Sequence, residues 1–157
     1  AVLNETKDLN ETAAFERAVA LIKGSKRILI CGEDDSGLIA KGFSHKLQQL
    51  GMPAIAELNH AVLLPYVKTF DNNDLIIVIT ESGCTPNIVN VIKHAKQNNC
   101  NVISLTKYGS NPVANSAHVQ LYTIADEKSA RLQSILTRTA QDFVIDMLFI
   151  SLTQSIR

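Results

Sequence analysis

Along the chain, short unbroken apolar runs alternate with longer stretches whose apolar residues recur at helical spacing. Arg27-Ile28-Leu29-Ile30-Cys31 and Leu75-Ile76-Ile77-Val78-Ile79 are continuous runs, and four of the five residues in the second are β-branched. Such runs read as strands buried on both faces, the kind found in parallel sheets. From Glu11 to Lys23 the apolar positions Ala14, Phe15, Ala18, Val19, Leu21 and Ile22 mark one face of a helix, with Gly24 as its stop. A second helix is expected from about Leu38 to Leu50, closed by Gly51. A third runs from Pro86 to about Gln97, with Ile88, Val89, Val91, Ile92 and Ala95 towards the sheet.

The remaining segments fill in the alternation. Met52 to Leu58 reads as a short strand and His60 to Lys68 as a short helix interrupted by Pro65. Asn101 to Leu105 and Val119 to Ile124 read as strands. Between them Asn111-Pro112 opens a short helix towards Ala117, and a last helix spans roughly Lys128 to Ile156. Residues 1–10 are polar and read as a linker or an incoming helix. Strands alternating with helices imply βαβ units with right-handed crossovers, hence a parallel sheet covered on both faces. The simplest arrangement is an α/β fold with a doubly wound five-stranded parallel sheet in the order 2-1-3-4-5, formed by residues 1–157 as one domain. Ligands of such sheets sit at the switch point, here beyond the carboxyl ends of strands 1 and 3.

Those two ends carry the polar turns Gly32-Glu33-Asp34-Asp35-Ser36-Gly37 and Thr80-Glu81-Ser82-Gly83-Cys84-Thr85. Pro86 fits a first helical position, where its missing N–H is not needed, which makes Thr85 the natural N-cap. The second turn therefore presents backbone N–H groups, a helix dipole end and the hydroxyls of Thr80, Ser82 and Thr85 at one point. That is a site for an oxyanion, above all a phosphate.

Composition narrows the function classes. Hydrophobic residues make up 46% and charged residues 19%, so the chain is globular. Fifteen basic and 15 acidic residues cancel, whereas a nucleic-acid-binding domain carries a basic excess. Cys31, Cys84 and Cys100 lack metal-ligand spacing and read as reduced thiols of a cytoplasmic protein. No apolar run reaches the roughly 18 residues of a membrane span, and there is no secretory signal. The start at Ala1 without methionine fits a piece excised from a longer protein.

Thr80-x-Ser82-Gly83-x-Thr85 resembles the Ser-x-Ser-Gly-x-Thr signature of sugar isomerase (SIS) domains, which bind phosphosugars. Gly32 and Ser36 match the Gly-x-Gly-x-Ser first turn of those domains, with Asp34 in place of the second glycine. From about Asn10 to Ile156 the chain further resembles the effector domain of RpiR-family transcription regulators. The matches are Leu38-Ile39-Ala40-Lys41, Ala95-Lys96 through Ile103-Ser104-Leu105-Thr106, Ser110-Asn111-Pro112-Val113-Ala114, and Thr137-Arg138-x-Ala140-Gln141 with Ile145-Asp146-Met147-Leu148-Phe149.

The resemblance implies an SIS-type fold that binds a sugar phosphate and pairs with a second copy. DNA would be read by a separate N-terminal helix-turn-helix domain absent from this chain. It implies phosphate contacts from Ser36, Thr80, Ser82, Gly83 and Thr85. Glu81 either orients a sugar hydroxyl or faces solvent. His60, after a strand end directed at the crevice, is a further candidate contact, as are Glu127, Lys128 and Arg131 where the fifth strand enters the last helix. No cofactor or metal is called for.

The acids of the first turn oppose a dianion. One carboxylate at about 4 Å costs on the order of 1 kcal/mol in water and about 4 kcal/mol at an effective dielectric of about 20. A charge-assisted hydrogen bond to phosphate contributes roughly 1.5–3 kcal/mol. Asp34 or Asp35 is therefore expected to face sugar hydroxyls, to cap the helix at Leu38, or to stand in solvent.

The last helix carries two apolar stripes. Leu132, Ile135, Leu136, Ala140, Phe143, Met147 and Ile150 form one; Ile145, Leu148, Phe149 and Leu152 form the other. One covers its own sheet, and the second fits either a homodimer contact or an intramolecular groove. Two functions follow: an effector-sensing domain of a regulator of sugar catabolism genes, responding to a sugar phosphate with amino-sugar 6-phosphates among the candidates, or an aldose–ketose phosphosugar isomerase. A nucleotide-binding module is disfavoured, because Gly32-x-x-x-x-Gly37 lacks the spacing of dinucleotide and P-loop motifs.

Overall fold

The computed structural model describes residues 10–124 and 130–156, and side chains from 130 to 134 lie outside that description. In chain order the elements are α1 (Thr12–Gly24), β1 (Arg27–Gly32), α2 (Asp35–Gln49), β2 (Ala54–Ala56), α3 (His60–Val67) and β3 (Asp74–Ile79). They continue with α4 (Pro86–Gln97), β4 (Asn101–Lys107), α5 (Pro112–Ser116), β5 (Val119–Thr123) and α6 (Ala130–Ser155). All strand pairs are parallel and the order is β2-β1-β3-β4-β5, as the alternation predicts.

The sheet divides the core in two. Ile28, Ile30, Leu75, Ile77, Ile79, Ile103 and Leu105 face a cluster built with α1, α2 and α6. Leu29, Cys31, Ile76, Val78 and Val102 face the other side, against α3, α4 and Val113 of α5. Successive side chains of a strand point to opposite faces, so an unbroken apolar run is what a sheet covered on both sides requires. At ~1.5–3 kcal/mol for each fully buried aliphatic side chain, these runs dominate the stabilisation.

The structure differs from the sequence reading at several elements. Helix α2 begins at Asp35 rather than near Leu38, because the Gly37 N–H already bonds to the carbonyls of Glu33 and Asp34. Asp35 and Ser36 thus belong to a helical turn. Strand β2 is only three residues long, since it pairs with β1 through Ala54–Ala56 alone. Pro65 does not interrupt α3: it lies near the helix end, where one donor is lost, and Leu63 and Val67 on either side of it are buried.

The amino end of the sheet is closed by charge. Arg27 at the start of β1 makes two hydrogen bonds to Asp74 at the start of β3, at 3.2 and 2.9 Å, and stacks over the Phe70 ring. Along the edge strand, the Asn10 side-chain amide accepts from the Tyr122 N–H and donates to the Tyr122 carbonyl, at 2.8 and 2.7 Å.

Candidate functional site

At the carboxyl end of the sheet, β1 and β3 diverge into the two polar turns, and a cleft of about 550 Å³ opens between them. The first turn lines it with Glu33, Asp34, Asp35 and Ser36. The second contributes Thr80, Glu81, Ser82 and Thr85, while β4 and α6 add Lys107 and Thr137.

Both turns depend on close backbone approach. A Cβ at Gly32 would stand 2.8 Å from the Ser36 carbonyl oxygen and 2.9 Å from that of Ile79, so only glycine lets the first turn fold back against the end of β3. Two residues on, Asp34 has φ +53° and ψ −125°, backbone that side chains rarely adopt. The position where SIS domains carry their second glycine therefore keeps a glycine-like conformation, and an aspartate holds it.

The second turn is held from outside. Gly83 has φ +68°, and a Cβ there would overlap the Asn111 side chain. Asn111 is buried; its carbonyl oxygen accepts from the Ala114 N–H at 2.7 Å, and its amide donates to Thr106 Oγ1 at 3.0 Å. The Val113 N–H donates to the Gly83 carbonyl at 3.1 Å. The start of α5 is thus the buttress of the loop.

Thr85 occupies the N-cap position of α4, yet its side chain makes no capping hydrogen bond. Its hydroxyl instead meets that of Thr80 at 2.7 Å. Thr85 thus takes the N-cap position the sequence predicts, while its hydroxyl pairs with Thr80 and not with a backbone N–H of the helix. Ser82 Oγ accepts from the Cys84 N–H at 3.1 Å, which leaves the serine proton to be donated elsewhere. Hydroxyl donors and a helix N-terminus without a side-chain cap at one point suit an anion.

The opposite wall is acidic. Glu33 is tied across the cleft by the Asn87 side-chain amide at 2.9 Å. Glu81 is half-buried: its Oε2 accepts from the Thr123 hydroxyl at 3.4 Å, while its Oε1 is buried with no partner. Burial pushes the Glu81 carboxyl above its ordinary value, against the opposing pull of the Lys107 charge and the Thr123 hydroxyl.

Ser36, Asp35, Thr80, Glu81, Ser82 and Thr85 of the sequence reading all line this cleft, and Gly83 shapes its loop. His60 begins α3 and is not among the lining residues; its Nδ1 is buried without a partner. Glu127 and Lys128 lie outside the described residues, as does the Arg131 side chain. His118 serves the fold: its Nδ1 accepts from the Val102 N–H at 3.0 Å, and burial, with Lys96 and Arg17 near, keeps its pKa low. Burial pushes the Cys31 thiol to about 12, far from reactive. Among the described residues no group of three His, Cys, Asp or Glu could hold a metal ion.

Two lining residues were missed from sequence. Lys107 is the last residue of β4, two beyond the expected end of that strand, and its backbone N–H donates to the Glu81 carbonyl at 2.9 Å. Thr137, part of the Thr137-Arg138-x-Ala140-Gln141 match, lines the cleft from α6.

A family model described as SIS domain matches residues 21–151. An uncharacterised HTH-type transcriptional regulator of Bacillus subtilis, YbbH, is 30% identical over 151 residues, which cover 96% of this chain and 53% of that one. Among solved structures, Vibrio vulnificus NanR complexed with ManNAc-6P superposes with a TM-score of 0.91 at 19% identity, covering 98% of this chain and 58% of NanR. A phosphoheptose isomerase from Francisella tularensis gives a TM-score of 0.75 at 21% identity, with 96% and 89% covered. The chain spans little more than half the length of YbbH and of NanR, and the structural matches speak for the fold. With a family model matching it over most of its length, the chain belongs to the SIS domain family.

Proposed function

We propose that this domain is the effector-sensing part of a bacterial transcription regulator and binds a sugar phosphate in the cleft between the two turns. The phosphate sits at the Ser82–Thr85 turn, and the sugar extends between Glu81, Lys107 and the acidic first turn. The observation that carries this reading is Thr85: a residue placed to cap α4 turns its hydroxyl to Thr80 instead, leaving the helix start open beside the Ser82 hydroxyl. The likeness to YbbH supports the regulatory role.

In this reading DNA is contacted by a separate N-terminal domain of a cytoplasmic protein, and the effector shifts the geometry of a homodimer. Helix α6 supplies the surface. Val144, Ile145, Leu148 and Leu152 join the core under the sheet, whereas Ile135 and Ile150 of the first stripe are 51% and 50% exposed. For sensing, the ligand must bind one dimer arrangement better than another.

The isomerase reading has one observation in its favour, the raised Glu81 carboxyl at the cleft wall. Proton transfer between C1 and C2 also needs a second group to polarise the carbonyl. Calorimetric titration with glucose 6-phosphate, glucosamine 6-phosphate and N-acetylated hexosamine 6-phosphates, with product analysis in parallel, tests both. Tight binding without turnover is the expected result. Conversion at ordinary enzyme rates overturns the sensor in favour of the isomerase, and no binding of any phosphosugar overturns both.

A further inference from the structure

We propose that Gln141 is a positioning residue that sets the Ser36 hydroxyl as a hydrogen-bond donor towards the bound ligand. The inference rests on the phosphosugar reading of the cleft. Ser36 is the second residue of α2 and lines the cleft; Gln141 lies on α6, 105 residues further along, and is 1% exposed. The Gln141 amide nitrogen donates to Ser36 Oγ at 3.1 Å, and its amide oxygen, at the longer 3.5 Å, is only a weak acceptor for the serine proton.

The nearer atom is a pure donor, so it occupies one acceptor site of the serine oxygen. A hydroxyl has one proton, and with its inner side filled by a donor it keeps that proton for a group on the open side. The oxyanion or sugar oxygen of a ligand accepts it there. Left alone, a serine in a helical first turn readily bonds back to a carbonyl of the preceding turn, which would turn its proton away from the cleft. Gln141 stands one helical turn after Thr137, so one face of α6 brings Thr137 to the cleft and Gln141 to Ser36 behind it.

The role predicts a pH signature. In Gln141→Glu, the ionised carboxylate accepts from Ser36 and reverses the polarity of the hydroxyl. Affinity for the tightest-binding hexose or N-acetylhexosamine 6-phosphate of the panel above should fall at least tenfold at pH 7.5. As the pH is lowered the new carboxyl protonates and can donate, so the ratio of variant to native Kd should narrow. Dividing by the native Kd at each pH removes the ligand's own titration.

Should the buried charge prevent folding, Gln141→Met keeps the test open. It should weaken binding as much as Ser36→Ala, and the double variant should lose no more than either single one. A Kd ratio for Q141E that stays near one, or stays constant with pH, overturns the inference while leaving the site intact. Losses of S36A and Q141M that add up do the same. No phosphosugar binding by the native chain removes the site reading itself and this inference with it.

Discussion

The two ends of strand β3 carry a carboxylate each, and they are treated in opposite ways. At the amino end Asp74 is almost fully buried and completely paired: Arg27 donates twice and the Asp71 N–H once more. Burial alone would raise its pKa, but these hydrogen bonds outweigh it and hold the carboxyl below the usual range. Just beyond the carboxyl end, Glu81 keeps a buried oxygen with no partner, and burial wins over Lys107 and Thr123. One end closes the fold and leaves nothing for a ligand; the other leaves donors and acceptors unspent around a cleft. An unsatisfied buried group costs stability, and Glu81 Oε1 stands where a ligand can satisfy it.

The same division separates the two proline-opened helices. Asn111-Pro112 and Thr85-Pro86 are the same device in sequence. Asn111 caps its own helix and fills the space beside Gly83, whereas Thr85 gives its hydroxyl to Thr80. The capped start supports, and the uncapped start is offered.

The sharpest way to break this contrast is the double variant Ser82→Ala/Thr85→Ala. Losing two charge-assisted hydrogen bonds at roughly 1.5–3 kcal/mol each should cut phosphosugar affinity at least ~100-fold in calorimetry. The urea midpoint should move little. Undiminished binding would end the division of labour proposed for this turn.

At the other end, Asp74→Ala should cost about 2–3 kcal/mol of unfolding free energy, because it strips Arg27 of its partner and removes a buried acceptor, and should leave ligand affinity within about twofold. Asn111→Ala should come next, at about 1–2 kcal/mol for the lost cap. Unlike the Asp74 change it should also weaken binding, since the Gly83 loop loses its buttress. Equal effects of the two changes on binding would contradict the buttress role.

The two carboxylates also predict opposite pH behaviour. Asp74 has a lowered folded pKa, so its contribution is full above the unfolded value of about 3.9 and is lost as the pH falls through the folded value below it. Glu81 has a raised one: the native state takes up the proton first, so its ionised form costs stability at neutral pH, and that cost fades on acidification. Glu81→Gln should therefore stabilise the domain by under ~1 kcal/mol at pH 7.5, and the gain should vanish towards pH 4, near the ordinary glutamate value of about 4.3. Denaturation curves at the two pH values check the sign.

A comparably small effect is expected in the first turn. Asp34→Gly should stabilise by roughly 1 kcal/mol by relieving the positive φ, and should tighten phosphosugar binding severalfold at low salt, where the lost carboxylate matters most.

Much of this molecule was legible in its sequence. Unbroken apolar runs forced strands buried on both faces, helical periodicity gave the crossovers, and alternation then left one economical strand order. The switch point and its two polar turns follow from that order, so Ser36, Thr80, Ser82 and Thr85 could be placed in one cleft before any coordinates. These features are local: each is written within a dozen neighbouring residues, and solvent exclusion does the rest. What only the folded chain decided are contacts between distant segments, whose side chains carry no local signal. Lys107 reaches the cleft because β4 runs two residues further than its apolar run, and Thr137 because α6 packs against α2; the same packing sets Gln141 against Ser36, and α5 docking sets Asn111 against the Gly83 loop. Whether a hydroxyl caps its helix or serves a neighbour depends on which partner stands nearer, and that distance exists only once the sheet has assembled.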